Sequence, residues 1–215
     1  MSRALACLVL AAVGATMTPQ DLRGQAPRPV APPVADRTPL LTNNRALQAS
    51  IDRIAARSAL WRQGVAAASR LGRRAVLLTP DQVVVADTAQ GRTRPFDPTL
   101  LAEAAPMPGE HGRVEAVLVV INLPLLREMH DRRMSLPVDV DADLDRVIVH
   151  EVYGHAVPYL LAGDLSGRCA DPRPGERALD ACAIQRENAV RAELGLGRRL
   201  DYGLSGLAIA RGDRR

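Results

Sequence analysis

The stretch Val147-Ile148-Val149-His150-Glu151-Val152-Tyr153-Gly154-His155 carries two of the four histidines of the chain. Its apolar lead-in reads as the start of a buried helix, and the carboxylate of Glu151 follows the first imidazole directly. The two histidines stand five positions apart. At roughly 100° per residue, four residues of α-helix return a side chain to within about 40° of its start, whereas five leave it about 140° away. A regular helix therefore cannot aim both imidazoles at one point. A wide π turn absorbs one surplus residue and occurs mostly at functional sites. Gly154, lacking a Cβ, is where such a distortion meets least resistance. The spacing predicts either a π-bulge that brings His150 and His155 together, or two histidines with separate structural duties and Glu151 paired with His155 at i, i+4.

Converging imidazoles beside a carboxylate suit a zinc ion, with Glu151 as the base that activates a water. A catalytic zinc takes three protein ligands and keeps one open position. Periodicity predicts a helix over 177–194, with Leu179, Ala183, Val190 and Leu194 along one stripe. Glu187 falls on that stripe, and a carboxylate on an apolar face needs a partner. A metal would be one. The alternative is an i, i+4 ion pair with Arg191. The candidate zinc ligands are therefore His150, His155 and Glu187.

The six residues HEVYGH resemble the H-E-x-x-G-H signature of the dipeptidyl peptidase III family, in which two histidines and a downstream glutamate hold zinc. That family is several times longer, so the likeness implies a site rather than a fold. Further on, Glu187-Asn188-Ala189-Val190-Arg191, then Glu193-Leu194-Gly195, Arg198 or Arg199, and Tyr202 resemble the E-N-x-x-R…G…R…Y tail of zincin-like endopeptidases among bacterial effector and toxin domains. This second likeness spans roughly residues 147 to 202 and departs from that pattern by the extra residue between the histidines. It implies an α+β fold, a small zincin-like domain with a short, mostly antiparallel sheet beside the metal-binding helix. It also implies Glu187 as a zinc ligand, Asn188 and Arg191 as residues that orient the ligands, and Tyr202 as the group facing the developing oxyanion. Tyr153, His111 and His130 are other candidates for that role, the two histidines reading more simply as surface-loop residues.

The totals set the frame. The chain has 215 residues, 47% of them hydrophobic and 24% charged, enough for one domain with a substantial core. Only 2% are aromatic, so aliphatic side chains must build that core. All basic residues are arginines spread along the chain, and the formal charge is +4. A diffuse basic surface accounts for this, and no nucleic-acid partner is inferred.

In chain order, residues 1–15 combine Arg3, the apolar run Ala4 to Val13 and the small residues Val13-Gly14-Ala15, which predicts a secretory signal peptide and a secreted or periplasmic protein. The run is too short to span a bilayer, and no membrane span is expected once it is removed; an uncleaved anchor is the alternative. Residues 16–41 are proline-rich and read as a linker, leaving 42–215 as the domain. Asn43 or Asn44 would cap a helix reaching Trp61. Ala75 to Leu78 and Val83 to Val85 read as a hairpin around Thr79-Pro80-Asp81-Gln82, residues 92–112 as loop, and residues 113–122 as a strand buried on both faces. That strand or the hairpin would offer a peptide substrate an edge to pair with. Residues 125–130 read as a helical turn. Asp139, Asp141, Asp143 and Asp145 lead into the motif helix, predicted over 142–161. They read as charge complementing the helix dipole rather than a calcium loop, because the EF-hand glycine and final glutamate are lacking. Pro158 should kink or shorten that helix. Cys169 and Cys182 read as a disulfide.

The expected function is a secreted zinc-dependent peptidase acting on a peptide or protein. The alternatives are a non-catalytic secreted or envelope binding protein with a structural or absent metal site, and a zinc hydrolase of a non-peptide amide.

Overall fold

The computed structural model describes residues 7–10, 39–87, 92–109, 113–132, 139–163 and 178–199. Strands and helices both build it, as an α+β domain. β1 (Cys7–Leu10) and β2 (Leu40–Leu41) precede the helices α1 (Arg45–Arg57) and α2 (Ala59–Arg70). The strands β3 (Arg74–Leu78), β4 (Val84–Asp87), β5 (Arg92–Pro95), β6 (Ala102–Pro108) and β7 (Val114–Ile121) follow. Then come α3 (Leu123–Arg132), α4 (Val140–Ile148), a π-helical segment (Val149–Ala156), α5 (Val157–Ala162) and α6 (Ala178–Leu194).

The central sheet runs β2-β3-β7-β6. β2 and β7 are both parallel to β3, and only β6 pairs antiparallel, along β7. The sheet is thus mixed and mostly parallel, not mostly antiparallel, because α1 and α2 carry the chain between β2 and β3 as a crossover and so return it in the same direction. The predicted hairpin is not formed either. A 3₁₀ turn at Pro80–Gln82 sends β4 into a second sheet, β1-β4-β5. Alternation along the central strands fills two cores: Ala75, Leu77, Val117, Val119 and Ile121 face the helices, whereas Leu118 and Val120 meet Val83, Val85 and Phe96. The central sheet is therefore covered on both faces, which is why β7 reads as an almost unbroken apolar run.

Residues 92–112 contain strands where loop was expected. Pro106 and Pro108 lie in β6 and Pro95 in β5, each at the edge of its sheet, and edge positions tolerate a residue that cannot donate to a ladder. The single helix expected up to Trp61 is two. Asn44 caps the first through Ala46 and Leu47 N–H, and Ser58 breaks the run and caps the second by accepting from Trp61 N–H at 3.0 Å. Trp61, 1% exposed, anchors the core. The described part of the core starts at Leu40, inside the segment read as linker. β1, inside the segment read as a signal peptide, pairs antiparallel with β4. Among the described residues no helix is long and apolar enough to cross a membrane.

Candidate metal centre on a π-helical segment

α4, the π segment and α5 form one continuous helical run from Val140 to Ala162. Asp139 caps it by accepting from Asp141 N–H. Asp143 is taken by Arg146 and His130, and Asp145 by Ser50 and Arg53, so these carboxylates tie the run to α1 and α3 instead of forming a cation loop. In the widened turn Val157 N–H bonds back five residues to Val152 C=O. Pro158 lacks an N–H and so cannot bond the Gly154 carbonyl four residues earlier. Arg186 NH1 of α6 donates to it at 3.2 Å. Pro158 therefore does not shorten the helix, which runs to Ala162 and ends on Gly163 at φ 75°.

The surplus residue is absorbed here. Tyr153 is turned to the other side of the run, where it stacks on Trp61 at 6.4 Å between centroids and packs against Gly64. His150 and His155 are thereby brought onto one side. Their rings meet edge to face at 87°, with Nε2 of one 3.3 Å from Nε2 of the other. Zinc–nitrogen bonds of about 2.0–2.1 Å at a tetrahedral angle place two ligand nitrogens roughly 3.3–3.4 Å apart. The 3.3 Å separation of the pair matches that spacing.

Gly154 owes its identity to packing as well as to the wide turn. A Cβ there would lie 3.1 Å from both the Cβ and the carbonyl oxygen of Ala183 on α6. Gly154→Ala is expected to push α6 away, lowering stability by about 1–3 kcal/mol, and to carry Glu187 off its partner. Denaturant unfolding of the metal-free protein checks the first effect; an unchanged midpoint would contradict the close approach.

Glu187 is 1% exposed and lies on the buried stripe of α6 with Ala183, Val190 and Leu194. Its two oxygens are divided. Oε1 accepts from Arg191 NH1 at 2.6 Å, while Oε2 accepts from His150 Nδ1 at 2.9 Å and Arg199 NH1 at 3.2 Å. Of the two sequence readings of Glu187, the structure shows the i, i+4 pair with Arg191, made on the apolar face itself. Its place differs from that expected of a third ligand, because it meets the ring nitrogen remote from His155. An ionised carboxylate only accepts, so His150 Nδ1 donates here and Nε2 is the nitrogen turned toward His155. Burial alone would raise the Glu187 carboxyl, but the hydrogen bond from His150 and the charges of His150, Arg199 and Arg191 outweigh it and hold it below the usual carboxylate range.

Glu151 is 8% exposed, with Oε1 3.9 Å from His150 Nε2. Burial pushes its carboxyl above the ordinary range, against the pull of His150 and Arg199 and with reinforcement from Glu187 and Glu103. A carboxyl raised in this way beside His150 is suited to exchanging a proton with a neighbouring group.

The remaining candidates divide plainly. Tyr202, His111 and Cys169 lie outside the described residues; Cys182 is buried on α6. Tyr153 faces α2, and His130 is bonded to Asp143. Glu193, part of the tail motif, caps α2 by accepting from Ser58 Oγ and Leu60 N–H. Asn188 clasps the backbone of Arg199, donating to its C=O at 2.8 Å and accepting from its N–H at 2.7 Å. Arg199 was thus visible only as one of two arginines in the tail pattern, and Arg186 gave no signal at all, because its role exists only where α6 crosses the wide turn.

Among the described residues no group of three His, Cys, Asp or Glu side chains surrounds a single metal position; the two imidazoles account for two of the three ligands a catalytic zinc ordinarily takes. Comparison with known protein families, with curated proteins and with solved structures finds no match to this chain.

Proposed function

We propose that this chain is a zinc-dependent peptidase in which His150 and His155 hold the metal and Glu151 is the general base. The observation that carries the reading is the meeting of two Nε2 atoms at 3.3 Å, with a buried carboxylate 3.9 Å from one of them. A zinc ion held there would supply the Lewis acidity that polarises a carbonyl and makes a water acidic near neutrality. Glu187 fixes the tautomer and the ring plane of His150. Glu151 accepts a proton from the water as its oxygen bonds to the peptide carbonyl carbon. It returns that proton to the amide nitrogen as the C–N bond breaks, giving a carboxylic acid and an amine.

The substrate fits as an added strand. β6 is the edge of the central sheet and packs against the π segment. Its proline-free part, Ala102 to Ala105, can pair with an extended peptide. The edge expected at β7 or at the hairpin is not available, since β7 lies between β3 and β6. Secretion directed by residues 1–15 remains part of this proposal.

A second reading draws on the same contact. An Nε2···Nε2 separation of 3.3 Å is also within reach of a hydrogen bond from a neutral His155 to His150, which would make the pair structural in a non-catalytic binding protein. Metal content separates the two. About one zinc per chain by elemental analysis, lost in His155→Ala, with peptide cleavage abolished by chelator, is the expected result. A zinc-free protein whose melting temperature ignores both zinc and chelator would overturn it.

A further inference from the structure

We infer that Glu103, in the free edge strand β6, selects peptides that carry an arginine or lysine in the stretch laid along that edge. The inference deepens the peptidase reading and rests on it, since it names the class of substrate that the edge would hold beside the π segment.

The hydrogen-bond phase of β6 decides which of its groups a peptide meets. Asn122 N–H bonds Leu101 C=O at 2.9 Å, and the register sets Ala102 opposite Ile121, Glu103 opposite Val120 and Ala104 opposite Val119. Hydrogen-bonded and non-hydrogen-bonded pairs alternate along an antiparallel ladder. Leu101, Glu103 and Ala105 therefore exchange bonds with β7, whereas the N–H and C=O groups of Ala102 and Ala104 point to the free edge. Pro106 falls in the same phase as those two alanines, so its missing N–H removes no bond from the ladder.

A peptide added in the antiparallel sense bonds to Ala102 and Ala104, and the residue it sets opposite Glu103 forms a non-hydrogen-bonded pair. Such pairs hold their Cα atoms about 4.5 Å apart, the closer of the two spacings, and bring their side chains together. Glu103 is exposed and is the one charged residue of β6. Its carboxylate makes no hydrogen bond or ion pair among the described residues, so it is free to meet a cation. Glu103 shares the face of the sheet that holds Val120, while Ala102 and Ala104 pack toward the helices. A basic side chain opposite Glu103 thus stands on the face away from the helices, and the peptide residues on either side of it project toward the face that carries the π segment. Glu103 acts on recognition, not on the reacting bond.

The test uses three extended peptides, alike except for arginine, glutamine or glutamate at one central position, with full-length wild type, Glu103→Gln, Glu103→Arg and Ala104→Pro. Binding is followed by fluorescence anisotropy on metal-free protein and cleavage on zinc-loaded protein. Wild type should prefer the arginine peptide to the glutamine one about two- to fivefold and disfavour the glutamate peptide by a similar factor, as cross-strand charge pairs do. The preference should shrink as salt rises. Glu103→Gln should lose it and Glu103→Arg reverse it, with melting temperature and zinc content equal to wild type. Ala104→Pro, whose lost N–H lies outside the β7 ladder, should weaken all three peptides together. No peptide binding or no preference in wild type, a preference kept in Glu103→Gln, or binding untouched by Ala104→Pro would overturn the assignment. A preference kept in Glu103→Gln would leave Glu103 as a charge that guards an edge strand against aggregation. If metal-free protein shows the arginine preference and zinc-loaded protein cleaves nothing, the peptidase reading fails on its own and the role of Glu103 stands.

Discussion

Glu151→Gln is expected to lower peptide hydrolysis by about 10²–10⁴-fold, the usual contribution of a positioned general base, while leaving zinc content unchanged. The amide matches the carboxyl in shape and cannot accept the proton of the attacking water. Because Glu151 is buried beside His150 without bonding it directly, at 3.9 Å, the substitution removes no ligand and opens no cavity. The burial that raises its carboxyl in wild type also means that the neutral amide should be tolerated, with a melting temperature equal to or above that of wild type. Cleavage of an unstructured peptide mixture, followed beside elemental analysis, checks the pair of outcomes. Activity within a few-fold of wild type at full zinc content would remove Glu151 from the reaction.

Glu187→Gln should have the largest effect on stability. In wild type one buried carboxylate is shared by Arg191, Arg199 and His150. Neutralising it leaves two guanidinium groups facing an amide, and breaking a buried pair in this way destabilises by about 3–5 kcal/mol. Denaturant unfolding of the metal-free protein measures it. The same variant separates two roles in metal binding: an orienting carboxylate behind His150 predicts about a 10–100-fold loss of zinc affinity, whereas loss of all zinc would mark Glu187 as a direct ligand.

The pH dependence follows from the direction of the shift. Folding holds the Glu187 carboxyl below its unfolded value, so its contribution to stability is fully present above the unfolded carboxylate value of about 4.3 and is lost as pH falls through the lower folded one. Over that acid window the wild type should weaken more steeply than Glu187→Gln, and parallel curves would contradict the assigned pairing.

Much of this was legible in short-range patterns. The stripe through Ala183, Val190 and Leu194 predicted α6 and placed Glu187 on its buried face, and the structure keeps it there at 1% exposure. The five-residue histidine spacing left a wide turn at Gly154 as one of two readings, and a π segment lies over Val149–Ala156. The run around Val117 to Ile121 predicted a doubly buried strand, and β7 has cores on both faces. β5 and β6 were hidden because Pro95, Pro106 and Pro108 read as breakers; a proline reveals nothing of whether its strand lies at an edge. The hairpin reading failed for a related reason. Thr79 to Gln82 has turn chemistry, but the partner of a strand is chosen by surfaces distant in sequence, here β7 for β3 and β5 for β4.

By itself the sequence determined the elements whose signals repeat within a turn or two of chain: the motif helix, α6 and the central strand, with the wide turn at Gly154 as one of two readings of the histidine spacing. The tertiary structure alone decided the direction of the sheet, the edge a peptide would meet, and which nitrogen of His150 Glu187 touches. The reason is one of range. Periodicity records which face of an element avoids water, whereas the meeting of two side chains depends on where separate elements cross, and here that crossing is set by Ala183 resting against the bare Cα of Gly154.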